Sequence, residues 1–305
     1  MRIEGQRRSE KFEDRGEEGG GGGGGGRIGG QGLMTVVRLL GVKGTLIAAV
    51  LFGGVYLFAP ASIKSSLMQA LLGGGAQGAS PSGGTSACAA SKTNEQACDF
   101  SRVVLASTED VWTQRFAQGA LPGGKAGEYV KPTLVVFSNQ VSTGGCGEAS
   151  SGTGPFYCSG DSKLYIDPTF YQVMETKLKA PGDFAQAYVI AHEVGHHVQN
   201  LTGSSRRQIA GETRNQTSVR VELQADCFAG VWGQAAKSTL SVTDEDLGEA
   251  LGAAHAIGDD TLGNGDKSRF THGSSEQRMR WFRRGFDGGD ARNCDTFAEQ
   301  NYARL

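Results

Sequence analysis

The sequence predicts an α+β domain, mostly helical with a small mixed sheet, that follows one N-terminal membrane-crossing segment. Three observations support this fold class. A charge-free apolar run occupies residues 44–61. Short runs typical of buried strands, at residues 133–138 and 163–167, stand among longer segments with helical periodicity. All six cysteines lie on the C-terminal side of the apolar run.

The first 30 residues mix basic and acidic side chains and include an unbroken glycine run at residues 19–26. A segment of this composition contains too little apolar surface to offset the entropy lost on folding. We therefore predict that residues 1–30 form a disordered tail on the cytoplasmic side of a membrane.

The apolar run is at the short end of the 17 to 25 residues that span a bilayer as a helix. Arg38 and Lys43 precede it, and such a basic flank places the N-terminus in the cytoplasm. A cleaved signal peptide is the alternative, because Ala59-Pro60-Ala61 resembles a cleavage site. However, about 40 preceding residues are too many for an ordinary signal peptide. We predict a transmembrane signal anchor over residues 31–61, with the remainder of the chain outside the cytoplasm.

The cysteines form an even set confined to one side of the apolar run, which indicates disulfides in an oxidising compartment. Six cysteines allow 15 pairings. We favour the local pairs Cys88–Cys98 and Cys146–Cys158, which leaves Cys227 with Cys294. A second metal site is the rival use, although the sequence contains no C-x-x-C pair.

Composition divides the remainder of the chain in two. Residues 62–95, which are rich in Gly, Ser and Ala, predict a flexible linker, and residues 96–305 predict one globular domain. Periodicity, proline and capping residues predict helices at 100–120, 167–181, 184–201, 219–236 and 243–257, and a last helix beginning at Ser274.

The most informative stretch is residues 191–197, which contains an H-E-x-x-H motif. Residues four apart share a helix face, so His192 and His196 can ligate one metal ion. Glu193 is offset by one position and can hold a water beside the metal without being a ligand. This is the arrangement that a zinc peptidase requires. A bare match also occurs in unrelated helices whose histidines pair with carboxylates.

A second helical stretch strengthens the metal interpretation. Glu222 follows His192 by about 30 residues, far enough for a turn and a second helix. It can complete a His-His-Glu site that keeps a fourth position open for water. Asp226, one turn further on, can accept a hydrogen bond from the distal ring nitrogen of His192 and so orient it. We predict one Zn²⁺ per chain.

The remaining histidines differ in context. His272 stands at a helix start and is the best candidate to stabilise the oxyanion of a tetrahedral intermediate, with Arg278 supporting it. The alternative for His272 is a helix-start histidine bonded to backbone. His197 points about 100° away from the metal face, and His255 lies in an Ala-rich helix, so we predict structural or surface roles for both.

Two further interpretations concern the flanks of this site. In zinc peptidases an edge strand beside the metal helix pairs with the substrate backbone, and residues 164–166 are predicted to do so. An ordinary internal strand is the alternative. Several acidic residues crowd residues 259–266, but their spacing does not match an EF-hand, so we predict a solvated loop.

Five stretches carry a resemblance to a known family. They read MRIEGQRRSEKFEDRG, AHEVGHHVQN, VELQADCFAGVW, AIGDD and FTHGSSEQRMRWFRRGFDGGD. The chain resembles the bacterial family described as "putative neutral zinc metallopeptidase", and the matching stretches are spread over nearly its whole length. The H-G-S-S-E-Q-R stretch is also similar to the H-P-x-x-x-x-R element of membrane-associated zinc peptidases, with Gly273 in place of proline. The resemblance implies a gluzincin-like domain, zinc and proteolysis, without a substrate.

The predicted function is that of a zinc-dependent endopeptidase acting on proteins or peptides outside the cytoplasm, anchored in the membrane through its N-terminal helix. The net charge of −2 gives no indication of nucleic acid binding. The alternative is a membrane-anchored binding or scaffold protein with a structural zinc. Structural sites usually close with four protein ligands, which disfavours this alternative.

Overall fold

The structure, a computed structural model, describes residues 1–17, 86–124 and 126–305. Residues 18–30 of the predicted tail, the predicted anchor at 31–61 and most of the predicted linker lie outside these residues. None of the described helices is both long and apolar enough to cross a bilayer. The strands are β1 Phe12–Gly16, β2 Thr133–Phe137, β3 Gln140–Ser142, β4 Glu148–Ser150, β5 Phe156–Cys158 and β6 Lys163–Ile166, and the helices are α1 Lys92–Ala117, α2 Phe170–Thr176, α3 Asp183–Thr202, α4 Arg214–Ala236, α5 Asp244–Ala256 and α6 Ser275–Gly288.

The predicted α+β character is confirmed: the described residues are mostly helical and carry a small mixed sheet. The sheet has the order β1-β2-β6-β5, in which β1, β2 and β6 are parallel and β5 runs antiparallel to β6. β3 and β4 form a separate two-stranded hairpin. Strand β6 is therefore internal, and the prediction that residues 164–166 form the edge strand is wrong. The edge strand next to β6 is β5, whose three residues lie within a Gly/Ser-rich loop and are too few to show a periodic pattern.

The N-terminal segment is part of the fold. Phe12 pairs with Leu134 as β1 joins the sheet. Arg8 donates two hydrogen bonds to Asp99, at 2.8 and 2.6 Å, and Lys163 donates to Glu13 at 2.7 Å. The prediction of a disordered tail is therefore wrong for residues 1–17. Their charges have partners about 90 to 150 residues away, which composition alone cannot reveal.

This pairing also constrains the topology. The predicted single crossing at residues 31–61 would place residues 1–17 and 96–305 on opposite sides of a membrane. Strand β1 is hydrogen-bonded to β2 within one sheet, so the two segments must lie on the same side. The fold contradicts the predicted separation of a cytoplasmic N-terminus from an extracytoplasmic domain. The side on which the folded unit lies stays a prediction.

Each helix behind the metal site begins at a capping box. Thr213 caps α4, Thr243 caps α5 and Ser274 caps α6, and in each case the side chain three residues later bonds back to the cap backbone. This reciprocal bonding satisfies two backbone groups that a helix N-terminus otherwise leaves unpaired. The predicted starts at residues 243 and 274 are confirmed, whereas α4 begins before the predicted residue 219.

The core forms around α3, which packs against α1, α4 and α5. Trp112 of α1 meets Phe228 of α4 edge to face at 5.3 Å, and Phe184 of α3 stacks on Trp232 of α4 at 5.6 Å. The three predicted disulfides, Cys88–Cys98, Cys146–Cys158 and Cys227–Cys294, are all present. The last of these ties α4 to the C-terminal segment.

Helices α4 and α6 approach each other through two glycines. A Cβ added at Gly230 would lie 2.1 Å from the carbonyl oxygen of Phe282, and one added at Gly285 would lie 2.0 Å from that of Cys227. Each glycine therefore faces the backbone of the other helix, which cannot yield as a side chain can. A similar but looser contact joins α3 to α4, where a Cβ at Gly195 would lie 3.0 Å from the Cα of Ala225.

We expect Gly285→Ala to lower the melting temperature by several degrees. Overpacking of this kind costs about 1–3 kcal/mol, and 1 kcal/mol shifts the melting temperature of a domain this size by about 2–4 °C. Gly252→Ala is the matched control, because Gly252 is exposed on α5 with no neighbour within 4 Å of an added Cβ. There alanine should be neutral or stabilising. Equal melting temperatures for the two variants in thermal unfolding would contradict the close approach.

Candidate metal centre

Three side chains from two helices converge on one point. His192 and His196 stand one turn apart on α3, with ring centroids 4.7 Å from each other. Glu222 of α4 faces both: its Oε2 lies 3.2 Å from His192 Nε2, and its Oε1 lies 3.5 Å from His196 Nε2. One ligand atom from each residue lies within 4.8 Å of the others. Two imidazole nitrogens and one carboxylate oxygen are the donors of a catalytic zinc site, so the residues present fit this metal.

The distal nitrogen of each imidazole is held by a different partner. His192 Nδ1 lies 2.8 Å from Asp226 Oδ1, as predicted, and His196 Nδ1 lies 2.9 Å from Gln199 Oε1. These contacts turn both Nε2 atoms towards Glu222. Gln199 also donates to the carbonyl oxygen of Val221 at 2.7 Å, which fixes α3 against α4. Sequence reasoning missed Gln199, although its position three residues after His196 places it on the same helix face.

Asp226 is the centre of a buried polar network. Its carboxylate accepts hydrogen bonds from Arg278 Nε and Nη2, both at 2.9 Å, and from the Tyr188 hydroxyl at 2.5 Å. The side chain of Asp226 is 0 % exposed and that of Arg278 is 2 % exposed. Arg278 therefore acts behind His192, on Asp226, rather than beside His272 as predicted. Tyr188 was missed, although it lies four residues before His192 on the same face of α3.

The carboxylates determine how this site holds protons when no metal is bound. Burial alone lowers the pKa of His192, but Asp226 and Glu222 outweigh burial and raise it to about 10. Burial alone would likewise lower the pKa of His196, but the charge and hydrogen bond of Glu222 outweigh burial and raise this pKa. The pKa of Asp226 falls to about 2, because Arg278 and His192 outweigh the effect of burial. A metal ion bound at the Nε2 atoms would take the place of these protons.

Glu193 faces the same site without being one of the three donors. Burial raises the pKa of its carboxyl group, while the neighbouring imidazoles oppose that rise. The backbone amide of Tyr157, in edge strand β5, also donates a hydrogen bond to this carboxylate. Glu193 therefore lies between the metal donors and the edge strand, and its raised pKa suits a group that takes up and releases a proton.

A cleft of about 920 Å³ opens over these residues. His192, Glu193, His196 and Glu222 line it together with β5. This cleft leaves one side of the three-donor cluster open to a ligand.

His272 lines the same cleft, with its side chain 50 % exposed. Its loop is held by Asp259, whose Oδ2 accepts the backbone amides of Thr271, His272 and Gly273 at 2.7, 2.7 and 3.0 Å. The Oδ1 atom of Asp259 lies 3.3 Å from His272 Nδ1. Asp259 is buried, so the prediction of a solvated loop is wrong at this residue. The carboxylate instead holds the loop of His272, and because the two residues are 13 positions apart no local sequence pattern indicated this contact.

The other two histidines lie outside the donor cluster. His197 is fully buried, with its ring nitrogens 3.0 Å from the Tyr157 hydroxyl and 2.6 Å from the carbonyl oxygen of Val130. It connects α3 to β5, in agreement with the structural role predicted for it. His255 is exposed on α5.

Comparisons with known proteins agree with this site. Residues 1–297 match the family model described as "Putative neutral zinc metallopeptidase". "Uncharacterized protein YpfJ" of Escherichia coli K12 is 49 % identical over 220 residues, covering 68 % of this chain and 74 % of the relative. An uncharacterized protein of Mycobacterium tuberculosis H37Rv is 43 % identical over 209 residues, covering 63 % and 68 %. No solved structure matches the chain.

We expect Asp226→Asn to lower zinc affinity about 10- to 100-fold, the usual effect of losing a carboxylate that orients a metal-bound imidazole. Glu222→Ala should lower zinc affinity more sharply because it removes a ligand. Competition with a chelating dye measures both effects. Glu175→Gln is the control, since Glu175 is an exposed carboxylate on α2 and its removal should leave affinity unchanged. Full zinc occupancy in Glu222→Ala would remove Glu222 from the ligand set.

Proposed function

The chain belongs to the neutral zinc metallopeptidase family, and from this premise we propose that it is a zinc-dependent endopeptidase acting on proteins or peptides outside the cytoplasm. The observation that carries the proposal is the position of Glu193, between a three-donor metal site and an edge strand, in an open cleft. A structural zinc usually has four protein ligands and needs neither a free carboxylate nor a cleft.

Each protein group has a part in the proposed hydrolysis. Zinc held by His192, His196 and Glu222 would polarise the scissile carbonyl and lower the pKa of a bound water. Glu193 accepts the proton of the attacking water and passes it to the leaving amine. Asp226 keeps the imidazole of His192 oriented, and Arg278 keeps Asp226 ionised.

The substrate backbone would pair with β5. Among the described strands, β5 pairs with β6 alone. On its other side the Tyr157 amide already bonds to Glu193, and the neighbouring backbone groups would pair with an extended peptide. Phe156 and Tyr157 of β5 line the cleft beside the metal donors. Main-chain pairing holds the scissile bond over the site without demanding a particular sequence.

His272 would donate a hydrogen bond to the oxyanion of the tetrahedral intermediate. Asp259 faces Nδ1 of its ring, which leaves Nε2 as the nitrogen available to a ligand in the cleft. A donor of this kind acts on charge that develops in the transition state, so it contributes to turnover more than to substrate binding.

The proposal is tested with Glu193→Gln. The zinc-loaded protein should cleave denatured casein or a peptide library in a chelator-sensitive manner, whereas Glu193→Gln should keep its zinc and lose this activity. The amide cannot accept a proton from water, which removes the general base. Absence of cleavage by the zinc-loaded, folded protein would favour the binding or scaffold alternative.

His272→Ala should lower turnover about 10²- to 10³-fold, the usual effect of removing one oxyanion donor, and keep KM within a few-fold. Steady-state kinetics on one fluorogenic peptide, with zinc content and melting temperature for each variant, measure this. His255→Ala is the control because His255 is exposed on α5, outside the cleft lining. Normal turnover in His272→Ala, or a loss explained by missing zinc, would contradict the assignment.

Three disulfides support a location outside the cytoplasm, and the sheet requires residues 1–17 to share it. In Glu10→Cys, an exposed position near the N-terminus, a membrane-impermeant maleimide should label intact spheroplasts. A reporter that is active only outside the cytoplasm should also be active when fused after residue 305. Labelling of the introduced cysteine only after permeabilisation would contradict this location.

A further inference from the structure

We propose that Gln224 is a positioning residue of the metal centre, which keeps Nε2 of His196 free to bind the metal. Gln224 lies on α4 between Glu222 and Asp226 and is not one of the three metal donors. Its effect on His196 passes through Gln199, so the two glutamine amides form one path, which we call the amide relay. The inference rests on the metal site of the proposed function and does not depend on peptide cleavage.

The amide relay begins at a backbone carbonyl. Gln224 Nε2 donates to the carbonyl oxygen of Cys294 at 2.9 Å, and Gln224 Oε1 accepts a hydrogen bond from Gln199 Nε2 at 3.0 Å. A carbonyl oxygen only accepts hydrogen bonds, so the nitrogen of the Gln224 amide has to face Cys294. The oxygen of the same amide therefore has to face Gln199.

A second carbonyl fixes the amide of Gln199. Its Nε2 also donates to the carbonyl oxygen of Val221 at 2.7 Å. Both hydrogens of this nitrogen are thereby used, one on Val221 and one on Gln224. The amide oxygen is left to face His196, where it lies 2.9 Å from Nδ1. The contacts with both carbonyls therefore agree on one orientation of the Gln199 amide.

This orientation determines which nitrogen of His196 carries the proton. An oxygen beside Nδ1 requires an N–H there, and a neutral imidazole with its proton on Nδ1 has its lone pair on Nε2. The Nε2 atom faces Glu222 in the donor cluster. A reversed Gln199 amide would present an N–H to Nδ1 and favour a proton on Nε2, the atom that the metal needs. The amide relay thus does for His196 what the Asp226 carboxylate does for His192.

Burial of the relay supports this role. The side chains of Gln199 and Gln224 are both 0 % exposed. A buried amide is unfavourable unless its polar atoms are hydrogen-bonded, and a methionine would fill a similar space without that requirement. The orientation that the two amides impose on His196 accounts for their presence in the interior.

The far end of the relay is anchored to α4. Cys294 forms a disulfide with Cys227 of that helix, and the carbonyl oxygen of Cys294 also accepts the amide of Thr296 at 3.0 Å. The Thr296 hydroxyl in turn donates to the carbonyl oxygen of Arg220 at 2.8 Å. The carbonyl that Gln224 contacts is therefore held close to α4 by a covalent bond and by hydrogen bonds.

The zinc affinity of the full-length protein, measured by competition with a chelating dye, tests the relay. Gln199→Met should lower zinc affinity about 10- to 100-fold, as loss of a partner that orients a metal-bound imidazole usually does. Gln224→Met should lower it about 10-fold, the low end of that range, because Gln199 keeps its bond to Val221. Gln234→Met is the matched control, since Gln234 lies about three turns further along α4, and it should leave zinc affinity unchanged.

A double variant separates the relay from a general loss of packing. In Gln199→Met the path from Gln224 to His196 is already broken, so adding Gln224→Met should cause no further loss of zinc affinity. Residues that act through one contact give non-additive effects of this kind, whereas independent residues give additive ones. Additive losses in the double variant would show that Gln224 acts through stability alone and would overturn the proposal. Melting temperatures of all four variants verify that each of them folds.

Magnetic resonance of the zinc-loaded protein, with isotope-labelled histidine, gives a signature of the proton itself. In Gln224→Met the Nδ1 proton of His196 should exchange with solvent several-fold faster than in the unsubstituted protein. The Nδ1 proton of His192 should exchange at an unchanged rate, because its partner is Asp226. Equal exchange rates for His196 in the two proteins would overturn the relay.

The outcomes separate this inference from the proposed function. Lower zinc affinity and faster His196 exchange in Gln224→Met, without peptide cleavage by the zinc-loaded unsubstituted protein, would support the relay and overturn the peptidase activity. Cleavage by the unsubstituted protein, with zinc affinity and exchange unchanged in Gln224→Met, would overturn the relay and leave the peptidase activity standing. Absence of zinc binding by the unsubstituted protein would overturn both.

Discussion

The metal site depends on one buried ion pair, between Asp226 and Arg278. Removing one member of a buried ion pair lowers the free energy of unfolding by about 3–5 kcal/mol, because the other charge is left buried without a partner. Each member of the pair therefore requires the other. The pair joins three helices, because Tyr188 and His192 of α3 bond to Asp226 of α4 while Arg278 comes from α6. The orientation of His192 is therefore coupled to the packing of α6, a helix that contributes no metal donor of its own.

Close helix packing is what allows these contacts to form. Gly230 and Gly285 bring α4 and α6 into backbone contact, and Gly195 lets α3 approach α4 at Ala225. A side chain at any of these positions would push the helices apart, and a displacement of about 1 Å is enough to misplace catalytic groups. The glycines thus serve the geometry of the site, although none of them is a metal donor.

The sheet has two edge strands, β1 and β5. Strand β1 covers β2 at one edge, and β5 forms the other, where the Cys146–Cys158 disulfide connects its last residue to the preceding loop. The N-terminal segment is consequently a structural part of the domain. Its ion pairs, Arg8 with Asp99 and Glu13 with Lys163, reinforce the strand pairing. This arrangement leaves β5 as the edge beside Glu193.

The sequence by itself determined what depends on spacing within one helix. The 3.6-residue period places His192 with His196 and Glu222 with Asp226 whatever the rest of the chain does, and the capping residues and the local cysteine pairs act over equally short distances. Only the tertiary structure decided the pairing of β1 with β2, the exposure of β5, the Asp259–His272 contact and the place of Arg278 behind Asp226. These contacts join segments far apart in the chain or too short to be periodic, and they form only when packing brings particular faces together.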